Sequence, residues 1–457
     1  MPTWCGWRAK FADCWHPEAV VPAPAQPSSR PLGESARLLE RARALIPGAS
    51  QTVSKGPTQW VQGVAPAFVA RAKGASVWDV DGNEYLDFPM ALGPVILGHA
   101  YPAVNTAIAR QLEDGITYTL PHRLEVEVAE RIHELVPCAE RVRFGKTGSD
   151  ATSAAVRLSR AVTGRDHVVV MGYHGWHDWY VGSTSRSRGV PRAVQLLVEN
   201  VPFGDLDALR ERFDGRPGEI ACVVLEPVGL REPHDGELQA ICDLAREHGA
   251  VVVFDEVISG FRLAPGGAQE RYGVVPDLAC FGKALGNGMP VSAVAGRADV
   301  MDALDDVFFS GTHGGEALSL AAVCATLDVM RDEPVHAHLW RLGAALQLGL
   351  RERIAAHGLA GVVSASGAAP WTLVVVREPH PEHQGLPAKT LLQQELLKRG
   401  VLFNGSNFIC HAHTDSDIAR ALDAYDEAFA VLAAALPDGV QERLEGPPLS
   451  QVFRVVT

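Results

Sequence analysis

Val251-Val252-Val253-Phe254-Asp255 is an unbroken apolar run that ends on a carboxylate. Leu278-Ala279-Cys280-Phe281-Gly282-Lys283 repeats the form, with an amine just beyond its end. Runs this short, apolar at nearly every position, suit strands buried on both faces. Residues 142–144, 168–171 and 221–225 read the same way, and the stretches 149–162 and 237–248 between them carry helical spacing. Strands alternating with helices predict an α/β fold built on a mostly parallel sheet with helices on both faces. Such sheets bind ligands outside the carboxyl ends of their strands, where Asp255 and Lys283 stand.

Outward from this centre the pattern changes. Residues 34–45 read as a helix stopped at Pro47-Gly48, and 76–87 as a hairpin turning at Asp81-Gly82. Beyond about residue 332, long helices at 336–357, 388–399 and 415–435 surround brief strands at 371–376 and 401–403. The expected organisation is a large domain over 91–331 and a smaller α+β domain over 332–457, joined by the N-terminal segment 31–90. Residues 1–30 place Trp4, Trp7 and Trp15 among Cys and Pro with no continuous apolar stretch. They are expected to be a disordered leader rather than a secretory signal.

Composition narrows the function. Acidic residues outnumber basic ones 54 to 41, a formal charge of -13, which argues against a nucleic-acid footprint. No apolar run approaches the ~20 residues of a membrane helix. Eight scattered cysteines without a C-x-x-C pair suit a reducing compartment, so the protein is expected in the cytoplasm.

Several motifs fail on inspection. Gly145-Lys146-Thr147 ends like a phosphate loop, but Glu140 stands where its first glycine belongs. Gly286-Asn287-Gly288 starts like a dinucleotide fingerprint, yet Val291 replaces the third glycine. His336-x-His338 and His411-x-His413 lack a third ligand at a familiar spacing and read as ordinary polar positions.

Four other features converge. Among seven lysines, Lys283 alone follows an apolar strand and sits among small residues, where a ligand can approach its amine. Asp255 at a strand's carboxyl edge needs a cation or donors to offset its desolvation, or serves as a cap for the next turn. Thr147-Gly148-Ser149-Asp150 opens a helix, where free N–H groups and a hydroxyl suit a phosphate. Ser149 or Asp150 acting as a plain N-cap is the alternative. Tyr173-His174-Gly175 follows the strand 168–171 and places an aromatic ring at the same sheet edge.

In these residues the sequence resembles the class III aminotransferases, fold-type-I pyridoxal-phosphate enzymes, and within them the glutamate-1-semialdehyde aminomutase-like branch. The resemblance runs from about Ile46 to Leu436. It rests on 147–151, Tyr173-His174-Gly175, Phe254-Asp255-Glu256-Val257 with Gly260-Phe261-Arg262, and Gly282-Lys283 with Gly288-Met289-Pro290. It implies pyridoxal 5′-phosphate held by Lys283 as a Schiff base, with Asp255 on the pyridine nitrogen. Val257 and Tyr173 would cover the two ring faces, beside His174. Gly148 and Ser149 would hold the phosphate, with Thr312 reaching the neighbouring subunit's phosphate, which implies a homodimer. Glu226, from the family's Glu-Pro-Val, would support the site from behind.

The implied activity is transfer of an amino group from a donor, such as an amino acid, to a carbonyl acceptor. An aminomutase or epimerase using the same groups is the alternative, and a non-catalytic paralogue the third reading. The branch's arginine after Pro-Gly is absent, since the stretch reads Gln51-Thr52-Val53-Ser54-Lys55. Its glutamate near the C-terminal strand is replaced within 403–408, where Asn404, Ser406 and Asn407 stand. A charge-assisted pair is worth roughly 1.5–3 kcal/mol, so neutral groups here favour a polar acceptor such as a keto-sugar or keto-cyclitol. Lys55, or Arg186, Arg188 and Arg192 of a Ser/Gly-rich segment read as a mobile lid over 182–192, are the cations that would restore the aminomutase reading.

Overall fold

Alternating apolar side chains of five consecutive strands feed two separate cores, one on each face of a seven-stranded sheet. The order is Arg141–Gly145, Ser292–Gly296, Leu278–Phe281, Val251–Asp255, Ile220–Leu225, His167–Met171 and Val198–Asn200. Val252, Phe254 and Phe281 pack toward helices Glu237–Glu247 and Ala317–Asp332. Val251, Val253 and Cys280 pack toward helix Gly148–Thr163. This computed structural model describes residues 30–378, 386–437 and 439–450, so the leader expected over 1–30 lies almost wholly outside the described residues.

The sheet departs from a fully parallel one at Ser292–Gly296, which runs antiparallel to both neighbours. Residues 282–291 give the reason. A parallel return needs a crossover of a dozen or more residues, whereas this short link can only turn back. The turn leaves Lys283 and Asn287 in the left-handed region, with φ of 42° and 43°.

The hairpin forms as expected, Ser76–Asp79 against Glu84–Asp87, and Val69–Lys73 adds an exposed edge strand. That strand carries no apolar alternation, so the sequence did not signal it. Val401–Leu402 pairs parallel to Glu84–Asp87, so N- and C-terminal segments share one sheet. Val363–Ser366, Trp371–Val376 and Ser406–Phe408 form a third, antiparallel sheet against the helices Val335–Ala356 and Asp415–Ala435.

Helix Gly33–Leu45 has no capping side chain of its own. Instead Asp81, at the hairpin turn, accepts from the N–H groups of Glu34 and Ser35 at 2.7 and 2.8 Å. A carboxylate there also complements the helix dipole. The hairpin thereby fixes where the chain enters the segment 46–55. Among the described residues no helix is long and apolar enough to cross a membrane.

Candidate active site

Lys283 leaves the carboxyl end of a fully buried strand and opens the tight turn Lys283–Gly286. A non-glycine residue at φ 42° is strained, and such strain persists only where surrounding contacts enforce it. Asn287 does so: its side chain accepts from Leu97 N at 2.9 Å and donates to Gly98 O at 3.2 Å. Burial lowers the Lys283 pKa, opposed by Asp255 and Glu226 and reinforced by Arg262. A share of neutral amine is what a nucleophilic lysine needs. Lys146 is committed elsewhere, donating to Glu316 at 2.8 Å.

Asp255 is buried at the end of the neighbouring strand. One oxygen accepts from Val257 N at 3.1 Å, the turn-capping role open to it. The other lies 2.9 Å from His174 Nδ1. The turn is thus capped by one oxygen, and His174 meets the other. His174 is sealed beneath it, flat against Trp179 and edge-on to Tyr180, with Nε2 buried and, among the described residues, without a hydrogen-bond partner. Glu226 accepts from Tyr173 N at 2.8 Å, and burial, with Asp255 adding repulsion, pushes its carboxyl up to about 7. The Tyr173 ring stands half exposed, edge-on to Tyr180.

The opening of helix Gly148–Thr163 is capped by neither Ser149 nor Asp150 as a simple N-cap. Thr147 holds that place, accepting from Asp150 N at 3.2 Å, while Asp150 accepts from Thr147 N at 2.7 Å. This capping box frees Ser149, whose hydroxyl accepts from Trp176 N at 3.2 Å. The first-turn N–H groups of Gly148 and Ser149 lie at the helix's open end, where an anion is favoured.

Close approaches bring the motifs together. A Cβ on Gly148 would stand 2.9 Å from Val257 Cγ1, and one on Gly175 would stand 2.2 Å from Ser149 Oγ. A Cβ on Gly282, next to Lys283, would meet Val257 at 3.5 Å. Lysine turn, carboxylate strand, helix opening and aromatic loop thus surround one place. An amine, a buried carboxylate, an anion-binding helix end and a flat wall fit a phosphorylated pyridine aldehyde. Thr312 is exposed, in the turn ahead of helix Ala317–Asp332, and none of these contacts reaches it.

A cavity of about 530 Å³ is lined by Gln51, Ser54, Lys55, Asp87, His99 and Asn404 and backed by apolar side chains. A second, of about 380 Å³, shares Lys55, Ala91 and His99 with it and is walled by Asn287, Gly288 and Met289, which directly follow the lysine turn. Lys55 therefore lines both cavities, the second of which reaches the chain just past Lys283. Asp87 and His99 face each other at 2.8 Å, a pair the sequence reading did not single out.

Not every expected polar group joins them. Asn407 points into the core, accepting from Tyr425 Oη at 3.0 Å, and Ser406 accepts from the Trp371 indole at 3.5 Å. The lid expectation is also too wide. Ser183 and Thr184 are buried and hydrogen-bonded to Tyr180 O and Val181 O, leaving Arg186, Arg188 and Arg192 exposed beyond them. His411 pairs with Glu333 at 2.8 Å, and no group of three or more metal-binding side chains occurs among the described residues.

Residues 59–407 match the family model for aminotransferase class-III. The chain belongs to the class III aminotransferase family. Its cofactor is pyridoxal 5′-phosphate, as the Sphingopyxis sp. MTA144 FumI protein in its cofactor-bound form also illustrates. That structure is 31% identical, with a TM-score of 0.81 over 91% of this chain and 98% of its own. A glutamate-1-semialdehyde 2,1-aminomutase of Methanothermobacter thermautotrophicus is 38% identical over 87% of this chain and 99% of its own length. The crystal structure of a glutamate-1-semialdehyde aminomutase from Pseudomonas aeruginosa PAO1 is 27% identical, with a TM-score of 0.77 over 87% of this chain and 94% of its own. In fold class this class III protein is a fold-type-I α/β enzyme, as its sequence implied.

Proposed function

We propose that this class III enzyme moves an amino group within a carboxylate-bearing amino aldehyde, as a glutamate-1-semialdehyde 2,1-aminomutase. The observation that carries the reading is Lys55, a cation that lines both cavities, the second of which is also walled by Asn287, Gly288 and Met289 just past Lys283. The sequence reading set the aminomutase second because the arginine after Pro47-Gly48 is missing. Lys55 supplies a positive charge in the segment where that arginine is expected, and the aminomutases among its relatives support the same choice.

In this reading Lys283 holds the cofactor, Asp255 pairs with its ring nitrogen, and Gly148 and Ser149 bind its phosphate. Val257 and Tyr173 flank the ring, and His174 and Glu226 hold Asp255 and Tyr173 in place. Bound there, the cofactor supplies an electron sink for the substrate carbon that carries the amine. Lys283 Nζ, its proton affinity lowered by burial, takes the proton from that carbon and returns it. Lys55 orients the substrate carboxylate. Two chains complete the site, with Thr312 contributing to the partner's phosphate.

A second reading, amino transfer to a neutral polar carbonyl such as a keto-sugar, is favoured by Gln51, Ser54 and Asn404 on the same cavity. One experiment separates them: supply glutamate semialdehyde without any amino donor and follow 5-aminolevulinate. The aminomutase forms it, and Lys55→Gln raises KM roughly 10- to 150-fold, the equivalent of one charge-assisted pair of about 1.5–3 kcal/mol. No product with the semialdehyde, alongside turnover of a keto-sugar with an added donor, selects the second reading.

A further inference from the structure

Arg262 is fully buried, and among the described residues no carboxylate pairs with it. Its guanidinium donates to three backbone carbonyls instead: Gly93 O at 2.7 Å, Ile409 O at 2.8 Å and Pro370 O at 3.4 Å. Its charge also lies over the Phe408 ring, 5.0 Å from the centroid, and its Nε has no partner among the described residues. A buried cation without an anion is costly, and a methionine of similar volume would avoid that cost. The three carbonyls come from segments far apart in the chain, which suggests what the cost secures.

Gly93 ends a run that the backbone resists. Met90, Ala91 and Leu92 sit at φ 42°, 56° and 76°, consecutive non-glycine residues in the left-handed region. Strain of this kind collects where function requires a geometry. Ala91 and Leu92 line the larger cavity, and Ala91 also lines the one beside the lysine turn. On the other side, Arg262 follows the carboxylate strand through Val257 and the Gly260 turn. Glu256 anchors that connection, accepting from Ser259 Oγ at 2.9 Å and Ala268 N at 2.6 Å.

We propose that Arg262 is a positioning residue for the reaction. It ties the strained run 90–93 to the element carrying Asp255 and Val257, so that the substrate wall keeps a fixed distance from the cofactor. Only a planar donor fork reaches carbonyls on three segments at once, which a lysine cannot do.

The wall role rests on the proposed substrate placement, so the experiment also reads the tie itself. With glutamate semialdehyde, Arg262→Lys is expected to raise KM at least tenfold with kcat within about threefold. Adding Ala91→Gly, which relaxes the left-handed residue, should recover part of that KM. In cofactor-loaded enzyme without substrate, amide hydrogen exchange over residues 90–97 is expected to quicken at least tenfold in Arg262→Lys. A parental KM in Arg262→Lys, or a raised KM that Ala91→Gly does not lower, overturns the proposal, as does exchange that Arg262→Lys leaves unchanged. If the parent does not turn over glutamate semialdehyde, the proposed activity fails while the exchange still tests Arg262.

Discussion

Gly148→Ala adds one carbon at the point where the helix opening meets the carboxylate strand. That carbon would lie 2.9 and 3.0 Å from the two methyls of Val257, closer than real Cβ contacts allow. Val257 cannot retreat freely, because its N–H is bonded to Asp255 and Gly282 stands close by. Overpacking of this kind costs about 1–3 kcal/mol. Gly148 has helical geometry as the first residue of its helix, so the propensity alanine gains, about 1 kcal/mol, offsets part of that cost in the cofactor-free fold. The rest is relieved by moving the Val257 side chain, which is proposed to cover the cofactor ring, so cofactor binding should carry much of the loss. We therefore expect cofactor affinity to drop roughly 5- to 150-fold, the equivalent of about 1–3 kcal/mol. Titrating cofactor-free Gly148→Ala with pyridoxal phosphate and following its absorbance measures this, with thermal unfolding of the cofactor-free protein as control. Parental affinity, or an unfolding temperature lowered by ten degrees with affinity intact, would refute the argument.

Asp255→Asn retains an oxygen for Val257 N and a side chain beside His174, so it should fold and bind cofactor while kcat falls on the order of 100-fold or more. Near-parental kcat removes the carboxylate from the chemistry. Glu226 has its carboxyl raised from 4.5 to about 7 by burial, so the folded protein keeps a proton there that the unfolded chain releases. Its contribution is complete below pH 4.5 and is lost as pH rises toward 7. Urea midpoints of cofactor-free protein at pH 5 and pH 8 should therefore differ less in Glu226→Gln than in the parent, although Glu256, raised likewise, titrates in both. An equal difference in the two proteins contradicts a buried, proton-holding Glu226.

The sheet was legible because its strands are apolar at nearly every position, a pattern only two-sided burial explains. Asp255 and Lys283 were legible for the same reason, since a charge directly after such a run has to sit at the sheet's edge. What stayed hidden depends on tertiary contact. The edge strand Val69–Lys73 is mostly exposed, so burial left no imprint on its residues. Arg262 was quoted only as part of a family motif, because three backbone carbonyls leave no trace in side-chain identity. The Asp87–His99 pair joins a strand end to a loop and has no spacing rule. Lys55 is only one of several candidate cations in the sequence, because whether a lysine lines a cavity depends on the path of 46–55, which the hairpin's Asp81 helps to fix. Of the neutral residues read as substrate contacts, Asn404 lines the cavity while Asn407, three positions on, faces Tyr425; the first lies in the bend between two strands and the second within a buried strand.

The central claim is that Lys283 is the cofactor lysine. Loading the purified protein with pyridoxal phosphate, reducing with borohydride and mapping the modified peptide by mass spectrometry tests it directly. The stable adduct is expected on Lys283, and none in Lys283→Ala treated the same way. An adduct on Lys55 or Lys146 in the parent, or one that persists in Lys283→Ala with activity retained, would contradict it.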